Sequence, residues 1–417
     1  ITVGNQWAAP DYVERFGDIV DVFSLHPYYP YGAATPEEFG ERLDESLAAI
    51  NRTGKPALVT ECCWRSLDDA ERVHFIEVAL AAITERKLGF MPHLLHHALR
   101  GLSFSGCQVT TLIATSVVRG SRQGESHGGV YLVDLERGRA AMAIDWNTAG
   151  IDWRGRGWDR GLRGIAFDGD RVYIAASDEL FAYSPDFELI ESYRAPFLKH
   201  CHEICRYKRR LYLTSTAYDS ILGFDLDKKQ FSWGLHVAAD AGEFRASPLN
   251  PRGQRGPAPD NNLHLNNVFC NEKGMYISGL RTGGMLQFTG RRITTAVTLP
   301  VGSHNARPWR DGILFNDTES NAVRYVTREH NRVFAVPRYP EELLTHTDMD
   351  DSRIARQSFA RGLCVIDDHV IASGSSPSTI TLHDVNAMKT TLSINLSMDI
   401  RNAIHGLEVW PYPVKAD

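Results

Sequence analysis

Five polar residues, Arg163, His202, Asn266, His304 and Arg361, recur at one position of a repeating pattern. Each is followed ten residues later by an apolar or aromatic residue in a short apolar run: Tyr173, Tyr212, Tyr276, Leu314 and Ile371. A sixth position, His405, is marked by likeness. His405-Gly406-Leu407 has the form of Arg163-Gly164-Ile165 and Arg361-Gly362-Leu363. If these positions share one level of a ring, three imidazoles and two guanidiniums converge. Imidazole serves as a general base or as a ligand of a divalent metal. Guanidinium grips carboxylate, sulfate or phosphate through two parallel donors. His202, His304 and His405 are therefore the candidate bases. Arg163, Arg361 and Asn266 are the candidate substrate contacts. His202, His264, His304 and His405 are the candidate ligands for a divalent metal such as Mn, Fe, Zn or Ca. His200 and His264 lie two residues upstream of His202 and Asn266, on the same strand face. Glu203 is expected to alternate away from the axis, while Asp317 and Glu319 are further candidate contacts.

The elements that must position these residues are short strands. A polar residue opening a strand, a turn, and a second apolar strand at constant offset is an internal repeat, and repeated four-strand units are propeller blades. The pattern predicts a mainly β fold, a six-bladed propeller over 105–417, with blades beginning at Arg163, His202, Asn266, His304, Arg361 and His405. Thr110–Thr115, Gly129–Val133 and Ala140–Ile144 match second, third and fourth strands that lack a first. The strand at His405 is expected to complete that blade, closing the ring through the C-terminus. Insertions are expected at 121–128, 238–262 and 337–358, all over the mouth where the ring residues begin. Through Asn262–Asn267, Ser303–Pro308 and Ile404–Trp410, this part resembles an uncharacterised bacterial six-bladed propeller family, a likeness that implies a fold and no reaction.

Residues 1–104 have a different period. Short strands at Ile1–Gly4, Asp18–Leu25 and Pro56–Thr60, with a fourth candidate at Gly89–Leu95, alternate with helical stretches. Thr35-Pro36-Glu37-Glu38 is a helix start, with a capping hydroxyl, proline at the first turn and acids beside it. Such alternation means a parallel sheet. A strand ending in His26-Pro27-Tyr28, a helix, and a strand ending in Thr60-Glu61 resembles the second half of a cellulase-like (β/α)8 retaining glycosidase. The resemblance implies Glu61 as nucleophile, with His26 and Tyr28 lining a sugar subsite. Retaining chemistry needs a second carboxylate about 5 Å away, and the family's acid/base Glu would lie upstream of Ile1. Half a barrel also leaves open edges, so a partner chain or self-association is expected to complete it.

The totals bound the alternatives. The chain has 417 residues, with a net charge of −6, 43% hydrophobic and 23% charged residues. That balance argues against a general nucleic-acid binder, and no apolar run is long enough for a membrane span. Seven cysteines without periodic spacing suggest reduced thiols and a cytoplasmic protein. The expected function is a carbohydrate-active protein acting on an anionic sugar or glycan at the propeller axis, by lyase- or hydrolase-type chemistry, with or without a metal. The alternative is a non-catalytic glycan- or protein-binding propeller fused to a glycosidase remnant.

Overall fold

The computed structural model describes residues 2–5, 22–25, 35–53, 57–59, 78, 82, 89–90, 110–147, 150–154, 161–240, 242–348 and 356–413. The chain forms two compact units, Ile1–Cys107 and Gln108–Asp417. No helix among the described residues is long and apolar enough to cross a membrane.

In the first unit, strands β1 (Thr2–Asn5), β2 (Val22–Leu25), β3 (Ala57–Val59) and β4 (Gly89–Phe90) pair in sequence order, all parallel. Helix α1 (Pro36–Asn51) connects β2 to β3. Its start follows from the residues: Thr35 is extended, its hydroxyl accepts from the Glu38 N–H at 3.1 Å, and Pro36 occupies the first turn. Phe39, Leu43 and Ile50 are buried along one face. His26, Tyr28 and Glu61, the residues of the expected sugar subsite, lie outside the described residues.

The second unit is a six-bladed propeller. Blade 1 joins β29 (Asn402–Val409) to β5 (Thr111–Val118), β6 (Gly129–Asp134) and β7 (Arg139–Asp145), with Val409 opposite Leu112 and Asn402 opposite Val118. Blade 2 comprises β8 (Ile165–Asp168), β9 (Arg171–Ala175), β10 (Leu180–Tyr183) and β11 (Leu189–Tyr193). Blade 3 comprises β12 (Ile204–Tyr207), β13 (Arg210–Ser215), β14 (Ser220–Asp225), β15 (Gln230–Asp240) and β16 (Glu243–Pro248). Blade 4 runs through β17 (Leu265–Asn271), β18 (Gly274–Gly279), β19 (Gly284–Phe288) and β20 (Ile293–Thr298). Blade 5 holds β21 (Ser303–Trp309), β22 (Gly312–Asp317), β23 (Ala322–Val326) and β24 (Asn331–Ala335). Blade 6 holds β25 (Gly362–Val365), β26 (Val370–Ser375), β27 (Thr379–Asp384) and β28 (Lys389–Asn395).

Apolar clusters lie between consecutive blades, because each sheet has an apolar face on both sides. Blades 1 and 2 share Ile113, Trp146, Ile174 and Phe181; blades 2 and 3 share Tyr173, Leu213 and Phe224. The series continues between blades 3 and 4 (Ile221, Leu235, Ile277), 4 and 5 (Met285, Phe315) and 5 and 6 (Leu314, Ile371). It returns to blade 1 through Ala372, Leu112 and Ile404. Burial falls outward: β5 is buried throughout, whereas β7, β11 and β28 are mostly exposed.

The ten-residue offset has a plain structural origin. Tyr173, Tyr212, Tyr276 and Leu314 sit opposite Ala166, Cys205, Phe269 and Arg307, three residues beyond the ring position. In blade 6 the hairpin is one residue longer, so Ile371 pairs with Val365. One expectation is corrected. The stretch at 238–262 begins as structure rather than loop, with β16 pairing β15 from Asp240–Glu243 to Leu235–Pro248. Glu243–Pro248 can therefore add a fifth strand, shielding what would otherwise be an outer edge.

Candidate axial site

Five innermost strands begin within two residues of their ring residue, while β29 runs through His405, and side chains beside these positions tie each blade to the next. Thr115 Oγ1 donates to the Arg163 carbonyl at 2.6 Å, and Arg163 itself donates to the Cys201 carbonyl at 3.3 Å. Thr216 Oγ1 donates to the Leu265 carbonyl, Asn266 Nδ2 to the Ser303 carbonyl at 3.1 Å, and Thr318 Oγ1 to the Ala360 carbonyl at 3.4 Å. Glycines permit the close approach. A Cβ on Gly406 would meet the Arg163 carbonyl oxygen at 2.2 Å, and one on Gly164 the Ile204 nitrogen at 2.5 Å.

The ring positions converge. The His202 ring lies 5.2 Å from His264 and 5.9 Å from His405. Arg361 lies with its guanidinium carbon 4.2 Å from the centre of the Phe359 ring, and His304 is edge-on to the same ring at 6.0 Å. Two further arginines, Arg119 and Arg356, each come within 4.8 Å of that ring. Arg163, Asn266, His304, Arg361 and His405 are buried, and His202 is half-buried.

Two imidazoles are held identically. His202 Nδ1 lies 2.8 Å from the His200 carbonyl and 2.9 Å from Thr216 Oγ1; His304 Nδ1 lies 2.9 Å from the Gly302 carbonyl and 2.8 Å from Thr318 Oγ1. A left-handed residue precedes each by two, with φ of 55° at His200 and 86° at Gly302, bending that carbonyl back onto the ring. A carbonyl only accepts, and each threonine directs its proton to the next blade, so Nδ1 carries the hydrogen and Nε2 the lone pair. Burial holds His202, His304 and His405 well below the ordinary imidazole range, and neighbouring guanidiniums push the same way: Arg163 and Arg361 on His202 and His405, Arg361 on His304. Burial, then Arg361, lowers His264 to about 3. These imidazoles are neutral at physiological pH.

Among the described residues no group of three or more His, Cys, Asp or Glu is placed to hold a metal ion. His202 and His264 are close, but the arginines around them disfavour a cation. Asp317 is not available to the axis either: it pairs with Arg324 at 2.7 Å, and Glu319 is exposed.

Glu203 reverses its expected direction. Its carboxylate accepts from Asn305 Nδ2 at 2.8 Å, joining blade 3 to blade 5 past blade 4. Strict alternation fails because the innermost strands bulge where they begin. The His202 and Glu203 N–H groups both donate to Thr214 Oγ1, and register shifts occur at Leu265/Asn267, His304/Arg307 and Ile404/Leu407. Glu203, Glu408 and Arg307 line a cavity of about 420 Å³ walled by Phe167, Phe269 and Leu363. Burial, reinforced by Glu408, pushes the Glu203 carboxyl up to about 8. Another cavity, of about 340 Å³, lies among Tyr207, Trp233, Met275 and Phe288 and contains none of the ring residues.

Arg119, Arg356 and Phe359 were not anticipated. Arg119 directly follows β5, as Thr216 follows β13 and Thr318 follows β22. Phe359 lies two residues before Arg361, as His200 lies before His202. Extending the repeat to those positions would have found Arg119 and Phe359, and Arg356 matches neither.

No family model matches the chain, and no curated protein does. Solved structures with a similar fold include a nidogen/laminin complex chain (10% identity, TM-score 0.44, covering 72% of this chain and 98% of that one). A Bacteroides caccae protein of unknown function shares 9% identity at a TM-score of 0.43, covering 73% and 100%. Apo AztD from Citrobacter koseri shares 10% at 0.39, covering 72% and 98%. At this distance the likeness says nothing about ligand or activity.

Proposed function

We propose that the propeller binds a small anion at the axial mouth, between Arg163, Arg361 and Arg119. The observation that carries this reading is the gathering of Arg119 and Arg361 within 4.8 Å of the single Phe359 ring, with both of them and Arg163 close enough to act on the buried His405. Like charges brought together, with Arg163 and Arg361 buried and Arg119 half-buried, repel one another, and an anion among them offsets that cost. Three neutral imidazoles beside guanidiniums add a chemical capability. A guanidinium would neutralise a carboxylate while an imidazole Nε2 lone pair removes a proton from the adjacent carbon, which is the first half of an elimination. A carboxylate-bearing carbohydrate is the substrate class this chemistry suits, with His202, His304 or His405 as base. We further infer that pairing of β29 with β5 closes the ring and so fixes His405 in the mouth.

Calorimetric titration with malonate, sulfate and phosphate tests the binding, at low and high salt. Binding that weakens with salt and is lost in Arg361→Met supports it. No binding of any of the three at millimolar concentration contradicts it. Incubation with oligouronates separates enzyme from binding module: an ultraviolet-absorbing unsaturated product means elimination, and binding without product means a recognition domain.

A further inference from the structure

We infer that the axial ligand carries hydroxyl donors beside its negative group: a polyhydroxylated carboxylate rather than an inorganic or apolar anion. This rests on the anion reading above and narrows it.

The inference comes from acceptors, whereas the anion reading comes from donors. His304 is 2% exposed, and its Nε2 has no hydrogen-bond partner. Its Nδ1 proton is committed to the Gly302 carbonyl and Thr318, so the unpartnered Nε2 is a lone pair. Asn266 is 2% exposed and is in the same condition: its amide nitrogen donates to the Ser303 carbonyl, which leaves Oδ1 as a buried acceptor without a donor. His405, at 5% exposure, also has an unpartnered Nε2, which is an acceptor in the Nδ1–H tautomer that His202 and His304 adopt. Buried acceptors left unmet are costly, and native structures seldom keep several together without a reason.

The donors that could meet them are limited by the surroundings. A metal ion or an ammonium group would enter a field set by Arg119, Arg163 and Arg361, the cations acting on His405. A neutral hydroxyl, whether of water or of a ligand that displaces it, carries a proton to give and no charge to be repelled. Sulfate has no proton to donate, and a simple fatty acid offers only its carboxylate. A hydroxy acid supplies both halves, with carboxylate to guanidinium and hydroxyl to imidazole or amide.

The test is one calorimetric panel on the full chain at neutral pH: gluconate, hexanoate and sorbitol. Gluconate and hexanoate share charge and carbon number; gluconate and sorbitol share hydroxyls. Gluconate is expected to bind roughly a hundredfold more tightly than hexanoate, with sorbitol weaker than either. In His304→Phe the gap between gluconate and hexanoate should shrink, with hexanoate affinity little changed; the wild-type panel stands even if that variant fails to fold. Equal affinity for gluconate and hexanoate overturns the hydroxyl inference and leaves the anion reading in place. Sorbitol binding as tightly as gluconate, or none of the three binding, overturns the anion reading itself.

Discussion

Thr216 Oγ1 lies 2.9 Å from His202 Nδ1 and passes its own proton to the Leu265 carbonyl of the next blade. The same hydroxyl thus fixes an imidazole tautomer and ties two blades. Thr318 repeats the arrangement with His304 and Ala360. Thr216→Val and Thr318→Val should each lower unfolding free energy by about 1–3 kcal/mol, through a carbonyl and an imidazole left short of a partner. Serine at either site should recover most of that in urea melts. Valine as stable as threonine would mean that the bond contributes nothing.

Gly406 is a second point of close approach. An added Cβ would come within 2.2 Å of the Arg163 carbonyl and 2.6 Å of Thr115 Oγ1. Gly406→Ala should therefore cost about 3 kcal/mol or more, since backbone must move where β29 meets β8. A melting temperature within a degree or so of wild type would show that the innermost strands have slack there.

Two sets of groups make stability depend on pH in opposite senses. The axial imidazoles have folded values held below their ordinary 6.5. Below that pH the unfolded chain takes up protons the folded one resists, so stability is full above 6.5 and is lost as pH falls toward the folded values. Glu203 works in the opposite sense. Its carboxyl is raised from 4.5 to about 8, so the unfolded chain ionises first and stability declines as pH rises across that interval. Melting temperature measured against pH should show both effects, and Glu203→Gln should reduce the loss that develops as pH rises from about 4.5 to about 8, leaving the imidazole effect in place. An unchanged decline over that interval in Glu203→Gln would place the titrating group elsewhere.

Arg361 combines charge with its position over Phe359. Arg361→Lys retains charge and loses the two-pronged donor, and should weaken anion binding by roughly tenfold; Arg361→Met should weaken it further and reduce the salt dependence. Calorimetry at two ionic strengths reads both effects. Equal affinity in wild type and Arg361→Met would remove Arg361 from the site.

Much of the propeller was legible because its hairpins keep one length. Arg163, His202, Asn266 and His304 all stand at the same distance from the second strand, and that regularity is printed in the chain. What was not legible turns on local departures from regularity. Glu203 faces the axis because the strand bulges at Thr214, and a period of two cannot foresee a bulge. Arg119 and Phe359 reach the mouth from positions flanking the repeat residue, one after a second strand and one before a first. The histidines suggested a metal by type alone. Their neutrality comes first from burial and then from nearby arginines, and the tautomers of His202 and His304 from carbonyls, all of which only the assembled ring brings about.

The central claim, a positive axial mouth that holds an anion, is tested most directly by locating iodide in crystals by its anomalous scattering. The expected result is a strong peak on the axis, within reach of Arg163, Arg361 and Arg119 and beside His304. Iodide ordered at other arginines, with none on the axis at the same concentration, would contradict the account.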